Sequence, residues 1–115
     1  MSEKDKGNLL AILDSCTKIQ SFIDGLKDAD SLYADVKTFD AVLMNFIVIG
    51  ESVAKLSNEV KTKESHVPWV EIKDFRNIVA HNYFGVDAEE VWQIINNYLP
   101  ALMNDVNKII ATNKL

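Results

Sequence analysis

The chain predicts an all-α fold: an antiparallel up-down bundle of four to five helices. Three observations carry this. Apolar residues recur at three- and four-residue steps in four separate stretches, the period of a helix with one buried face. Glycine and proline are scarce, at 4 and 2 residues, so few breakers interrupt long regular elements. Hydrophobic residues make up 48% and charged residues 25% of 115 positions, a balance that predicts one globular domain over 1–115 rather than disorder.

The first predicted helix covers residues 8–26, where Leu9, Leu10, Ile12, Leu13, Cys16, Ile19, Phe22, Ile23 and Leu26 share a stripe. Residues 27–31 form a polar turn. The second covers 31–57, with Leu32, Val36, Phe39, Val42, Leu43, Phe46, Ile47, Ile49, Val53, Ala54 and Leu56 as its apolar set. At ~1.5 Å per residue it would span about 40 Å. That exceeds the need of a compact domain, so one end is expected to serve a partner subunit. Residues 39–53 are apolar on more than one face, which also predicts burial from two sides. Gly50 and Glu51 interrupt this run. A mid-helix glycine costs ~1 kcal/mol of propensity, so a close helix contact is expected there. Glu51 has two readings, a solvated acid at a dimer rim or a structural partner of Arg76 or His81.

Residues 58–67 are polar, mixed in charge and without periodicity, and read as a loop with His66 at the surface. Pro68 suits the first turn of a third helix, where its missing N–H costs nothing. Trp69, Ile72, Phe75, Ile78 and Val79 supply its buried stripe, with Trp69 a core anchor rather than a platform for stacked bases. Gly85 is a helix stop. Asp87-Ala88-Glu89-Glu90 is a capping box that opens a fourth helix containing Val91, Trp92, Ile94, Ile95, Tyr98, Leu99, Leu102, Met103, Val106, Ile109 and Ile110. Pro100 should kink or briefly break it. Helices with short connections pack mostly as antiparallel neighbours.

Several classes are disfavoured. The single Cys16 excludes an internal disulfide framework and a cysteine-based zinc site, and its place on an apolar face makes it a small core residue. No metal or cofactor is expected. Residues 2–7 are polar and charged, unlike a signal peptide. No run approaches the ~18 apolar residues of a membrane span, so a membrane role is not expected and the cytoplasm is the default. The net charge of −5 counts against non-specific nucleic-acid binding, which normally uses a basic face. If the chain touches RNA, its positive field must be local. A symmetric dimer could build one by placing two copies of Arg76 around one cleft.

The stretch Arg76-Asn77-Ile78-Val79-Ala80-His81-Asn82-Tyr83 sets a guanidinium, an amide, an imidazole and a phenol within eight residues. Arginine supplies a permanent planar cation suited to phosphate, and histidine exchanges protons near neutral pH. Together they are a minimal kit for cleaving RNA without a metal. In an ideal helix Asn77 and His81 share a face. Arg76 and His81, five apart, point about 140° from each other. Two geometries would reconcile them: a helix that loosens near His81, or convergence of Arg76 and His81 from different subunits across a two-fold axis. The bland alternative makes Arg76 a surface ion-pair residue, His81 a cation favoured by the helix dipole, and Tyr83 a half-buried aromatic.

Pro68-Trp69, Asp74-Phe75-Arg76-Asn77, Ala80-His81-Asn82-Tyr83-Phe84-Gly85-Val86-Asp87, Val91-Trp92 and Leu99-Pro100-Ala101-Leu102 resemble the HEPN superfamily. They look specifically like its HepT branch, whose signature is R-x4-H-x-Y. Ile49-Gly50-Glu51 is also similar to that branch. The likeness runs from the second predicted helix to the end of the chain. It departs at Lys73-Asp74-Phe75, where the branch has a smaller, more apolar run, and an acid beside Arg76 would weaken attraction for phosphate.

The resemblance implies a HEPN-like homodimer with the R-x4-H motifs meeting at its interface. It implies a metal-independent endoribonuclease, the toxin of a type VII-like HEPN/MNT toxin–antitoxin pair. The antitoxin would be a minimal nucleotidyltransferase that attaches AMP to the motif tyrosine. Carried over, Arg76 would bind the scissile phosphate, His81 would be general base or acid, Asn77 would orient the histidine or donate to phosphate, and Tyr83 would accept AMP. A rival reading is a non-catalytic helper that binds a nucleotide or substrate for a nucleotidyltransferase. The acidic net charge favours the helper; the intact Arg-His pair favours the ribonuclease. A plain helical interaction protein is the third reading.

Overall fold

The computed structural model describes residues 1–81 and 87–113, with Ala80 and His81 described by backbone alone. Every regular element among the described residues is a helix: α1 (Glu3–Phe22), α2 (Ala29–Ala34), α3 (Val36–Lys55), α4 (Asn58–Lys63), α5 (Trp69–Lys73), α6 (Phe75–His81), α7 (Ala88–Asn97) and α8 (Leu99–Asn113). The all-α bundle is as expected, but each predicted long helix differs in its limits or its continuity.

The first helix begins at Glu3, not at residue 8, because Ser2 caps it: its hydroxyl accepts from the Asp5 N–H at 3.0 Å. It ends at Phe22, four residues before Leu26, and the chain then turns over Gly25 at φ 87°, where a left-handed backbone favours glycine. The second predicted helix is two. Asp28 and Ser31 close a reciprocal capping box around α2, and Asp35 stops it. Asp35 sits at φ −92° and ψ 82° and accepts from the Thr38 N–H at 3.1 Å, so it also opens α3. The apolar pattern Leu32-Val36-Phe39 runs through this break, which is why periodicity alone misses it. The 20 residues of α3 span about 30 Å, so the excess length expected of this helix is not there.

The predicted loop at 58–67 holds α4. Ser57 caps it, accepting from the Val60 N–H at 3.3 Å, and Val60 is its one buried residue. One apolar contact in six residues leaves no readable period. The third predicted helix divides at Asp74 into α5 and α6. Pro68 stands just before α5, and Trp69 is buried with its indole N–H donating to the Glu64 carbonyl at 3.1 Å. The fourth divides at Tyr98, and Pro100 falls in the first turn of α8, where it lacks only an N–H that a helix start leaves unpaired. Asp87 caps α7 by accepting from the N–H groups of Glu89 and Glu90. Gly85 lies outside the described residues.

Helix α3 is the hub: α1, α2, α5 and α6 all pack on it, and α8 closes over α1. Leu9, Ile12, Cys16 and Ile19 of α1 and Val42, Phe46, Ile49 and Val53 of α3 are fully buried in one core. Burial pushes the Cys16 thiol up to about 12, so it stays protonated and unreactive near neutrality. Among the described residues no helix is long and apolar enough to cross a membrane.

Asp5 is the buried charge that ties α1 to α4. Its Oδ1 accepts from the Ser57 N–H at 2.9 Å and its Oδ2 from the Ser57 hydroxyl at 2.7 Å. Burial pushes this carboxyl up, but the bonds from Ser57 and Ser2 together outweigh it and hold it below its ordinary value. A carboxyl lowered in the folded state stabilises fully above its unfolded pKa. That contribution is lost as pH falls through the folded value. We therefore expect Asp5→Asn to lower the melting temperature at neutral pH, with the gap to wild type closing in strong acid.

Candidate functional site

The site is built where α6 crosses α3. Gly50 is buried on α3, and a Cβ there would lie 2.8 Å from the Lys73 carbonyl oxygen, 3.0 Å from the Arg76 Cβ and 3.1 Å from the Arg76 amide nitrogen. Real Cβ atoms do not approach that closely, so the glycine is a notch into which the α5–α6 junction settles. The close contact expected at Gly50 is present, and its partner is the backbone that carries Arg76. Gly50→Ala would gain ~1 kcal/mol of helix propensity but overpack the crossing at a cost of ~1–3 kcal/mol. We expect a net loss of about 1 kcal/mol by urea denaturation, with a larger fractional loss of catalytic rate on the same sample because α6 must move.

The next residue completes the arrangement. Arg76 Nη1 donates to Glu51 Oε1 at 3.0 Å, with the two side chains 33% and 49% exposed. Of the two readings left open for Glu51, the structure takes the pairing with Arg76. A partly exposed pair of this kind contributes only ~0–1 kcal/mol to stability. Its main effect is on where the guanidinium stands. Phe75 anchors the same helix from below: it is buried, stacks on Phe46 at 5.3 Å, and meets Tyr98 edge-on at 6.1 Å. Arg76 is thus a half-buried cation on a rigid base.

Asn77 is exposed, and its Nδ2 donates to Asp74 Oδ1 at 3.2 Å. Asp74 is therefore the capping partner of the motif asparagine as well as an acid two residues from Arg76. The backbone is helical from Phe75 through His81, and the stretch between His81 and Asp87, where loosening was considered, lies outside the described residues. The side chain of His81 and the whole of Tyr83 lie outside the described residues. His66 is at the surface, as expected, 3.8 Å from Asp105 and 4.0 Å from Glu64. Among the described residues no group of three or more His, Cys, Asp or Glu could hold a metal ion.

An apolar strip leads along α3 to this pair. Val36, Leu43, Met44 and Ile47 follow helical spacing along one side, with the carboxylates of Asp40 and Glu51 set among them. Val36 and Met44 are 67% and 60% exposed, and Val79 of α6 flanks a shallow depression formed by Asp40, Leu43, Met44 and Ile47. The burial of residues 39–53 from two sides is therefore not complete within one chain.

The family model described as "Ribonuclease HepT-like" matches residues 12–109. The chain is 33% identical over 103 residues to a protein of Caldanaerobacter subterraneus subsp. tengcongensis named "Putative RNase", covering 90% of this chain and 91% of that one. It is 29% identical over 109 residues to a protein of Thermococcus cleftensis named "Probable ribonuclease HepT", covering 95% and 98%. A Methanocaldococcus jannaschii protein named "Gamma-glutamylcyclotransferase and putative RNase" is 31% identical over 99 residues, 86% of this chain but 44% of that longer one. No solved structure matches the chain. The chain belongs to the ribonuclease HepT-like family, the branch of the HEPN superfamily that its motifs resemble.

Proposed function

We propose that this chain is a metal-independent endoribonuclease that acts in the cytoplasm as the toxin of a HEPN/MNT toxin–antitoxin pair. The observation that carries the reading is Arg76: a partly exposed guanidinium, seated in the Gly50 notch and held by Glu51, at the start of the helix that ends in His81. In this reading the ribose 2′-OH attacks the adjacent phosphorus. His81 takes the hydroxyl proton as general base, or gives one to the departing 5′-oxygen as general acid. The new P–O2′ bond leaves a cyclic phosphate as the P–O5′ bond breaks. Arg76 stabilises the charge that builds on the phosphoryl oxygens, and Asn77 orients the histidine or donates to phosphate.

The working form is a homodimer. Continuous helical backbone leaves the Arg76 and His81 positions of one copy on different faces, so a shared pocket draws one from each copy. The apolar strip on α3 supports this, since a second copy seated there adjoins Glu51 and Arg76. Silencing falls to a cognate minimal nucleotidyltransferase: the Tyr83 phenol oxygen gives up its proton and bonds to the α-phosphorus of ATP, and pyrophosphate leaves. The added phosphate competes with RNA for Arg76 by occupancy and charge.

Purified dimer in excess chelator is expected to cleave RNA, and mass spectrometry after co-expression with the nucleotidyltransferase is expected to find AMP on Tyr83. The net charge of −5 favours one other reading, a non-catalytic nucleotide-binding helper. Absence of cleavage with tight nucleotide binding would select it.

A further inference from the structure

We infer that Glu51 is a positioning residue for Arg76 that trades RNA affinity for cleavage rate. The inference rests on the ribonuclease reading of this site and deepens it. The carboxylate makes two separable contributions. Its oxygen is the acceptor that fixes Nη1 of the guanidinium at 3.0 Å, and its charge neutralises part of the cation that must attract phosphate.

The geometry makes this more than a surface ion pair. Gly50 and Glu51 are consecutive on α3: the first leaves the space, which a Cβ would fill, for the Arg76 backbone and Cβ, and the second pairs with the guanidinium. One turn of helix therefore sets the root and the tip of the same side chain. Arginine has several rotatable bonds, and a fixed backbone alone leaves its fork free to wander. Catalysis by electrostatic stabilisation needs the fork in place before the charge develops, and a misplacement of about 1 Å can cost on the order of a hundredfold in rate. An acceptor at the tip supplies that order. The same carboxylate repels the RNA backbone, which a chain of net charge −5 already repels at long range. Glu51 is half exposed, so it remains in reach of the incoming phosphate's field.

Two substitutions separate the contributions. Glu51→Gln keeps a neutral oxygen acceptor for Nη1 and removes the charge. Glu51→Ala removes both. With a single-stranded RNA oligonucleotide at low salt, both variants are expected to bind about three- to tenfold tighter, as loss of a rim charge does. Under single turnover with saturating protein, Glu51→Gln is expected to cleave at close to the wild-type rate. Glu51→Ala is expected to cleave about tenfold slower or worse. Opposite movement of affinity and rate is not what a lost structural contact produces. In an Arg76→Ala background the two Glu51 variants should cleave at one residual rate, because the difference between them passes through the guanidinium.

Unchanged binding, unchanged cleavage by Glu51→Ala, or the same rate gap between the two variants without Arg76 overturns the inference while leaving wild-type cleavage intact. If the wild-type chain does not cleave RNA, the ribonuclease reading fails separately. The gain in RNA binding by both variants then decides the role of Glu51, and its absence overturns that too.

Discussion

Arg76→Ala and His81→Ala are each expected to lower RNA cleavage by about a hundred- to a thousandfold. Loss of one preorganised donor to a developing oxyanion has that effect, and loss of a general acid or base falls in a similar range. In the proposed mechanism the two act on one transition state, so the double variant is expected to be little worse than either single one. Arg76 is partly exposed and its ion pair with Glu51 is weak in stability terms. Stability of Arg76→Ala should therefore change by less than about 0.5 kcal/mol, as read from urea denaturation followed by circular dichroism. Wild-type cleavage by His81→Ala would remove the imidazole from the mechanism.

The same two variants test whether the pocket is shared. Unfolded together and refolded as a mixture, Arg76→Ala and His81→Ala copies pair at random. If each pocket takes its arginine from one copy and its histidine from the other, a mixed dimer holds one pocket with both residues native and one with neither. Activity should then return to about a quarter of wild type. If each pocket is made within one chain, every pocket lacks a residue and the mixture stays inactive.

The largest stability effect is expected at Phe46→Ala, at about 3–5 kcal/mol. Phe46 is fully buried on α3 and stacks on Phe75, so truncation opens a cavity where α3, α5 and α6 meet. A domain of this class is stable by only ~5–15 kcal/mol, so the substitution takes a large share and can unfold the chain at elevated temperature. The effect reaches the site as well, because Phe75 immediately precedes Arg76. Phe46→Leu, which keeps most of the volume, should lose less stability by urea denaturation yet still slow cleavage by loosening α6.

The sequence carries the helix faces well and the helix ends poorly. The apolar stripes of Leu9-Ile12-Cys16-Ile19 and of Val42-Phe46-Ile49-Val53 are buried where periodicity places them. Burial follows from hydrophobic spacing, which is local and repeated. The breaks at Asp35 and Asp74 are single-residue events inside an unbroken apolar pattern, and only their cap geometry shows them. The short α4 has one buried residue and no period to read. At the site, Arg76 and Asn77 are legible as a motif, and the need for a close contact at Gly50 is legible from its cost in a helix. The pairing of Glu51 with Arg76 bridges 25 positions. Spacing along the chain cannot select it over a solvated acid, because it depends on how α6 crosses α3.

The lone thiol on the buried face of α1 makes the molecule its own stopwatch. Cys16 is wholly shielded, and burial holds it in the protonated form, so a thiol reagent such as a chromogenic disulfide reaches it only when α1 and the core part at a seam. With one cysteine in 115 residues, the colour change follows a single exponential whose rate tracks how often that seam opens. Anything that clasps the closed form, a nucleic acid or a second copy, must slow the clock in proportion to its grip.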